Sequence, residues 1–230
     1  MFEKAQVLDR NKHAGLRYNP VTDYRFIRSI IAGPIAVSES RKIAREFPIV
    51  FPTVGRQLPL AQFGVRDKVN AFVDAGNNWL GDYIPAHIRR YPFVLGDKGN
   101  GNDFFVMADM RGLSSSGSGE SLFGDQDGPG HGDDSVVARA TEFLLGFEQE
   151  LLVTQALVAP LYEADVLVAK SVTLKKPGLD DAVVTGFKVV DRDRLHQLDD
   201  STIAAWERSG LLELVSLHLA SQENWVRLLD

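Results

Sequence analysis

The chain has 230 residues, a length that suits one large domain or two small ones. It contains no cysteine, which excludes disulfides, thiolate metal sites and a cysteine nucleophile. Its net charge of −6 at pH 7 offers no general attraction for polyphosphates, so we expect no nucleic-acid binding. The lack of cysteine is compatible with a reducing compartment, and we predict a cytoplasmic location.

The first ten residues do not resemble a secretory signal, because acidic residues interrupt them before any apolar run. No stretch approaches the roughly 20 apolar residues that cross a bilayer. The most apolar candidate, residues 211–219, is broken by Glu213 and His218. We therefore expect a soluble protein without a membrane span.

Short apolar runs separated by turn residues dominate the first half of the chain. After a polar, basic lead-in over residues 1–28, we predict an interrupted strand within 26–37 and a short helix over 38–46. The further predicted strands are residues 48–51, 58–63, 71–73, 92–95 and 104–107. The last two flank the polar segment 96–103 and predict a hairpin.

Residues 112–134 have a different composition, rich in glycine, serine and aspartate. No lysine or arginine occurs between Arg111 and Arg139, whereas carboxylates accumulate there. We predict a flexible loop over 112–134. Residues 125–134 imitate the start of a calcium-binding loop, but Pro129 takes the third ligand position and no glutamate follows at the right distance, so we expect no metal.

The second half of the chain favours helices around one strand pair. Apolar residues recur at helical spacing from Ser135 to Pro160, which predicts one long amphipathic helix closed by the proline. The remaining predicted elements are strands at 166–174 and 183–190 and helices at 201–208 and 211–229, the helices being separated by Ser209-Gly210. Together, the predicted elements indicate a single α+β domain over residues 1–230. It has a β-rich N-terminal half of short strands, a long amphipathic helix, a strand pair and C-terminal helices.

The densest group of candidate site residues lies on either side of Pro85. The candidate ligand-binding residues are Trp79, Tyr83, His87, Arg89, Arg90 and Tyr91. The two arginines can hold a carboxylate or a phosphate by paired hydrogen bonds, and His87 can move a proton near neutral pH. In the structural alternative, one arginine pairs with Asp74 or Asp82 and the other is solvated. Trp79 either packs over the strands or lines a ligand surface.

The chain contains none of the common catalytic motifs. It has no Gly-x-Ser-x-Gly nucleophile elbow and no His-Glu-x-x-His metal helix, and residues 114–119 lack the ending of a phosphate-binding loop. The histidines are widely separated, so their spacing does not favour a metal site. His218 lies in an apolar helix and is expected to be a hydrogen-bonded core residue. We expect no metal and no cofactor.

Several short sequence segments, in their order along the chain, resemble those of the bacterial SapC family. These segments are residues 46–51, 72–74 with Trp79, 83–86, 89–94, 122–123, 140–157, 186–191 and 209–212. The resemblance covers residues 15–229 and implies an association with surface layers, TonB-dependent receptors and flavin-dependent halogenase-like proteins, but no defined activity. It implies neither a permease, which needs several membrane spans, nor saposin C, which depends on cysteines.

The favoured function is that of a non-catalytic accessory protein that binds a peptide, a protein or an envelope component. The six candidate residues would form the ligand surface, residues 112–134 a movable cover, and a homo-oligomer is possible in principle. The first alternative is an enzyme, or an enzyme subunit, that modifies peptides or proteins beside a halogenase-like partner, with an acid–base site at His87 and Asp74 or Asp82. The second alternative is a structural surface-layer component.

Overall fold

The structure is a computed structural model that describes residues 1–97, 99, 104–124, 134–175, 178 and 180–229. It confirms the predicted α+β class, with short strands first and helices late in the chain. The strands are β1 Ala5–Val7, β2 Arg17–Tyr18, β3 Ala32–Pro34, β4 Ile49–Pro52, β5 Leu60–Gln62, β6 Phe93–Asp97, β7 Phe104–Asp109, β8 Leu113–Ser114, β9 Glu120–Ser121, β10 Leu167–Leu174 and β11 Ala182–Val190.

The α-helices of the described residues are α1 Arg10–His13, α2 Ser40–Ile43, α3 Ala86–Arg89, α4 Val136–Glu163, α5 Arg192–His196, α6 Asp200–Ser209 and α7 Leu211–Ser221. Segments of 3-10 helix are Arg25–Ile27, Val37–Glu39, Met110–Gly112 and Gln222–Leu229. None of the helices in the described part of the chain is long and apolar enough to cross a membrane.

The backbone contacts divide the chain into two compact units. The first unit consists of Met1–Phe26 and Ala86–Gln149, and the second of Ile27–Pro85 and Glu150–Asp230. One boundary therefore falls inside α4 and the other between Pro85 and α3. The single domain over residues 1–230 stays a prediction.

The first unit contains a sheet with the strand order β1-β7-β6. β6 and β7 form the predicted hairpin, in which Phe93 lies opposite Ala108. The apolar stripe of α4 shares a core with this sheet, because each element has an apolar face that is buried against the other. The buried residues of this core are Phe93, Ala108, Leu122, Val136 and Leu144.

The described part of the glycine- and serine-rich segment contains two strands that the sequence did not predict. β8 and β9 pair with opposite edges of β2, and Arg17 lies opposite both Ser114 and Ser121. The side chain of Arg17 also donates a hydrogen bond of 3.0 Å to the carbonyl of Gly119. Residues 125–133, which hold most of the calcium-like motif, lie outside the described residues.

The second unit contains a sheet with the strand order β10-β11-β4-β5-β3. β10 and β11 form the predicted strand pair, with Leu167 opposite Val190. Helices α6 and α7 are separated at Gly210, whose φ of 81° is left-handed and costs a glycine little. The helices, the end of α4 and the sheet share a core whose buried residues include Phe51, Val158, Leu161, Trp206, Leu211 and Leu214.

Three details differ from the sequence-based expectation. α4 continues through Pro160 to Glu163, since the amide of Ala164 donates to the carbonyl of Pro160 and sustains the last turn. Residues 71–73 do not form a strand, because the side chain of Asn70 accepts the amide hydrogen of Phe72 and bends the chain there. Leu152, an apolar residue within the helix predicted from Ser135 to Pro160, is 51% exposed.

His218 is the hydrogen-bonded core residue that the sequence predicts. Its Nε2 accepts a hydrogen bond of 3.1 Å from the amide of Val190, and its Nδ1 lies 2.7 Å from the carbonyl of Ile49. Because a carbonyl can only accept, Nδ1 carries the proton. Burial lowers the pKa of His218 to about 4, so the imidazole is neutral at pH 7.

Candidate functional site

Four of the six candidate residues lie on α3 and the turn that follows it. His87 and Arg89 belong to the helix, and Arg90 and Tyr91 come directly after it. Backbone hydrogen bonds of 3.1 Å from the amides of Arg90 and Tyr91 to carbonyls of α3 close the turn. Pro92 cannot continue a helix, so the chain leaves into β6.

A cavity of about 180 Å³ lies beside this turn in the first unit. We call it the arginine cavity. Its polar lining consists of Tyr18, Arg89, Arg90, Tyr91 and Arg139. Its apolar lining consists of Phe93, Val136, Ala140, Phe143 and Leu144. The cavity therefore joins a cationic side, supplied by the α3 turn and α4, to an apolar wall supplied by β6 and α4.

Two of the arginines are held against aromatic rings. The Cζ atom of Arg89 lies 5.4 Å from the centre of the Phe143 ring, and that of Arg90 lies 5.0 Å from the centre of the Phe2 ring. An aromatic ring attracts the face of a guanidinium. The N–H donors lie in the plane of the guanidinium and point away from its centre. Burial lowers the pKa of Arg90 and the carboxylate of Glu148 opposes that shift, so the side chain remains a cation at pH 7.

Arg139 is a cation of the cavity that the sequence analysis did not single out. Its Nη2 donates to both carboxylate oxygens of Glu120, each at 2.7 Å. Its Nη1 donates to the carbonyl of Asp134 and lies 3.5 Å from the carboxylate of that residue. Arg139 precedes Phe143 by four residues on α4, and this spacing could have placed the two side chains on one face of the helix.

The two tyrosines of the cavity are neutral groups held by ring packing. Tyr91 stacks on Phe26 with ring centres 3.7 Å apart, and Tyr18 lies 5.5 Å from Phe93. Burial raises the pKa of both tyrosines, so each keeps its hydroxyl proton at pH 7. No signal in the sequence pointed to Tyr18, because β2 has only two residues.

His87 does not suit proton transfer near neutral pH, contrary to the expectation from sequence. Burial and the positive charges of Arg90 and the N-terminus lower its pKa to about 3. At pH 7 the imidazole is therefore neutral and only weakly basic. Its buried Nδ1 has no hydrogen-bond partner within the described part of the chain, and His87 does not contribute to the described lining of the cavity.

A family model described as SapC matches residues 8–228. The chain belongs to the SapC family. This match confirms the resemblance that the order of the sequence segments suggested. Comparisons with curated proteins and with solved structures found no match. The function of this SapC protein must therefore be argued from its own side chains.

Trp79 and Tyr83 belong to the second unit of the SapC protein and have internal partners there. The indole of Trp79 packs on three aromatic rings, those of Phe47, Phe63 and Phe72, with centres 6.1, 6.3 and 5.5 Å away. Its Nε1 donates to the carbonyl of Tyr83 at 3.1 Å, and the Tyr83 hydroxyl donates to Glu39 at 3.0 Å. These contacts favour the packing role that the sequence left open for Trp79.

In the part of the chain that the structure describes, the acidic candidates do not form a metal site with the histidines. No three histidine, aspartate or glutamate side chains are grouped as metal ligands in the described residues of the SapC protein. The carboxylate of Asp74 accepts hydrogen bonds from the amide and side chain of Asn78, and these bonds lower its pKa. The chemistry that the arginine cavity offers is thus the binding of an anion next to an apolar surface.

Proposed function

We propose that this SapC-family protein is a non-catalytic binding protein that holds an anionic group of a peptide or protein in the arginine cavity. The observation that carries the proposal is the placement of Arg89, Arg90 and Arg139 beside the apolar wall of one cavity. Guanidiniums bind carboxylates and phosphates through paired hydrogen bonds. The ring of Phe143 and its neighbours would cover the non-polar atoms attached to that anion.

The size of the arginine cavity supports a peptide residue as its occupant. A cavity of about 150 Å³ is enough for a benzene-sized group, whereas pockets for drug-sized ligands have about 300–1,000 Å³. The arginine cavity, with about 180 Å³, is close to the first of these sizes. One side chain or one chain end therefore fits, and a large cofactor does not.

The segment 112–134 supports the proposal through its described residues. Glu120 and Asp134 both contact Arg139. A movement of the Glu120 or Asp134 side chain would therefore change how much of the guanidinium a ligand can reach. This contact is the physical basis on which we retain a movable cover as part of the proposed binding mechanism.

The enzyme alternative receives less support from the site. His87 was its acid–base group, and a pKa of about 3 makes it a weak base that carries no imidazolium proton to donate at neutral pH. Arginines rarely act as acids or bases because they keep their proton. The arginines and the apolar wall of the cavity suit binding, and they are not acid–base groups.

The proposal is tested by calorimetric titration with two anionic probes, N-acetyl-L-phenylalanine and phenyl phosphate. We expect at least one probe to bind the wild type, and Arg89→Ala/Arg90→Ala to weaken that binding by about tenfold or more, since each charge-assisted hydrogen bond contributes about 1.5–3 kcal/mol. Arg192→Ala/Arg208→Ala is the matched control, because both arginines are exposed in the second unit.

Binding that survives in the Arg89→Ala/Arg90→Ala variant would overturn the proposal. If that variant loses its melting transition, Arg89→Lys/Arg90→Lys replaces it. Lysine keeps both charges but loses the planar fork of donors. A lysine variant that melts like the wild type and binds the probe equally well would likewise contradict a guanidinium site.

A further inference from the structure

Glu120 already occupies one guanidinium of the arginine cavity. Both of its carboxylate oxygens accept hydrogen bonds of 2.7 Å from Nη2 of Arg139. The pair is half-exposed, with 52% of the Glu120 side chain and 45% of the Arg139 side chain accessible to water. An ion pair in contact with water adds little to folding stability. A ligand can therefore displace Glu120 without unfolding its surroundings.

The backbone holds Glu120 at the rim of the arginine cavity. Glu120 begins β9, and the register of the small sheet places it opposite Tyr18, which lines the cavity. The side chain of Arg17 donates to the carbonyl of Gly119 and fixes the residue just before it. Strand pairing thus places the backbone of Glu120 where its carboxylate reaches Arg139.

The charges around the cavity discriminate between kinds of anion. Among the described residues, Arg139 faces the carboxylates of Glu120 and Asp134, and Arg90 lies near that of Glu148. These carboxylates balance the arginines of the cavity. Within the described residues no surplus positive charge is left to neutralise a phosphate group, whose charge at pH 7 is about −1.5 to −2. A singly charged carboxylate, in contrast, can replace the one that Glu120 supplies.

We infer that the anionic group of the ligand is a carboxylate and that Glu120 is an internal competitor which this carboxylate displaces from Arg139. The inference rests on the proposed function, because it concerns the same cavity. The carboxylate can belong to the C-terminus of a peptide or to an aspartate or glutamate side chain, and both present the same pair of oxygens. Glu120 then sets the affinity of the site and excludes anions of higher charge.

The variant Glu120→Gln tests the inference. Glutamine keeps the shape of the side chain but removes the charge that competes for Arg139. We expect N-acetyl-L-phenylalanine to bind Glu120→Gln about fivefold more tightly than the wild type, the upper range for a solvent-exposed ion pair. Glu150→Gln is the matched control, because Glu150 is exposed on α4, the helix that carries Arg139, and is outside the described lining of the cavity. Its affinity should equal that of the wild type.

A second pair of probes identifies the source of the carboxylate. N-acetyl-L-phenylalanine carries it at a chain end, and N-acetyl-L-glutamyl-L-phenylalanine amide carries it on a side chain. Tighter binding of either probe to Glu120→Gln supports the inference and names the source. N-acetyl-L-phenylalanine amide has no carboxylate and should bind neither the wild type nor the variant.

Three results would overturn the inference, and they show whether the proposed function fails with it. If phenyl phosphate binds best and depends on Arg89 and Arg90, the proposed anion site stands and the carboxylate assignment is wrong. The same conclusion follows if the acid probes bind wild type and Glu120→Gln equally. If no anionic probe binds either protein at millimolar concentration, the proposed function and the inference fail together.

Discussion

Two arginine-containing regions of the first unit hold their guanidiniums in different ways. Arg111 is surrounded by carboxylates: its Nε and Nη2 donate to Asp109 at 3.1 and 2.7 Å, and its Nη1 donates to Glu3 at 2.6 Å. In the arginine cavity, Arg89 and Arg90 lie over aromatic rings beside an open space. Arg111 therefore fastens two parts of the chain, whereas Arg89 and Arg90 also line a cavity that a ligand can enter.

The Arg111 region fastens the N-terminal residues to the end of β7. The side chain of Asp109 is fully buried and also accepts the amide hydrogen of Glu3 at 3.2 Å. Burial alone would raise the pKa of Asp109, but the hydrogen bonds from Arg111 outweigh burial and lower it. The same hydrogen bonds raise the pKa of Arg111. Both partners are therefore charged in the folded protein and depend on each other.

The largest expected effect comes from removing the buried carboxylate of Asp109. Asp109→Ala leaves several donors without an acceptor, and we expect it to lower the free energy of unfolding by about 4 kcal/mol. Urea unfolding followed by circular dichroism measures this loss. Asp67→Ala, at an exposed position, should change it by less than about 0.5 kcal/mol. A loss below about 1 kcal/mol in Asp109→Ala would contradict the fastening role.

The second effect concerns the second unit, where burial holds His218 neutral. Its pKa falls from an ordinary value of 6.5 to about 4 in the folded protein. Between these two pH values His218 is protonated in the unfolded chain but not in the folded one. Stability is therefore lost as the pH falls from 6.5 towards 4. We expect a loss of about 3 kcal/mol in the free energy of unfolding between pH 7 and pH 4.

Urea unfolding at a series of pH values measures this dependence. His218→Gln should reduce the slope between pH 6.5 and 4, whereas His196→Gln, at an exposed position, should leave it unchanged. His87 contributes in the same direction, because its pKa is also lowered. A slope that is the same in His218→Gln and in the wild type would show that His218 is not held neutral by burial.

The sequence predicted those parts of the fold that depend on local patterns. The α4 stripe, the β6–β7 hairpin, the β10–β11 pair and the break at Gly210 all follow from periodicity or from turn residues over short stretches. The end of α4 was predicted wrongly at Pro160. A proline near the end of a helix removes only one backbone N–H donor, so the helix can continue for another turn.

The candidate site could be predicted only where its residues are adjacent in the chain. Arg89, Arg90 and Tyr91 line one cavity because they follow one another around a turn. Tyr18 and Arg139 reach the same cavity only through tertiary packing, which no local pattern encodes. Trp79 is close to these residues in sequence, yet the boundary between the two units falls at Pro85 and assigns it to the other unit.

The smallest effect on stability should come from the cavity itself. Arg89→Ala/Arg90→Ala should cost about 1 kcal/mol of unfolding free energy, because Arg89 is exposed and each arginine–ring contact near the surface contributes about 0.5 kcal/mol. Arg111→Ala should cost about 2 kcal/mol, since it leaves Asp109 buried without its cation. Thermal and urea unfolding of both variants give the comparison. Equal losses would mean that the cavity arginines are structural.

The most direct measurement follows the arginine side chains during binding. In ¹⁵N-labelled protein, N-acetyl-L-phenylalanine should shift the Nε–Hε signals of Arg89, Arg90 and Arg139 along one saturable curve and leave the signal of Arg111 in place. Arginine signals that do not move, or that move only together with that of Arg111, would contradict an anion site in the arginine cavity.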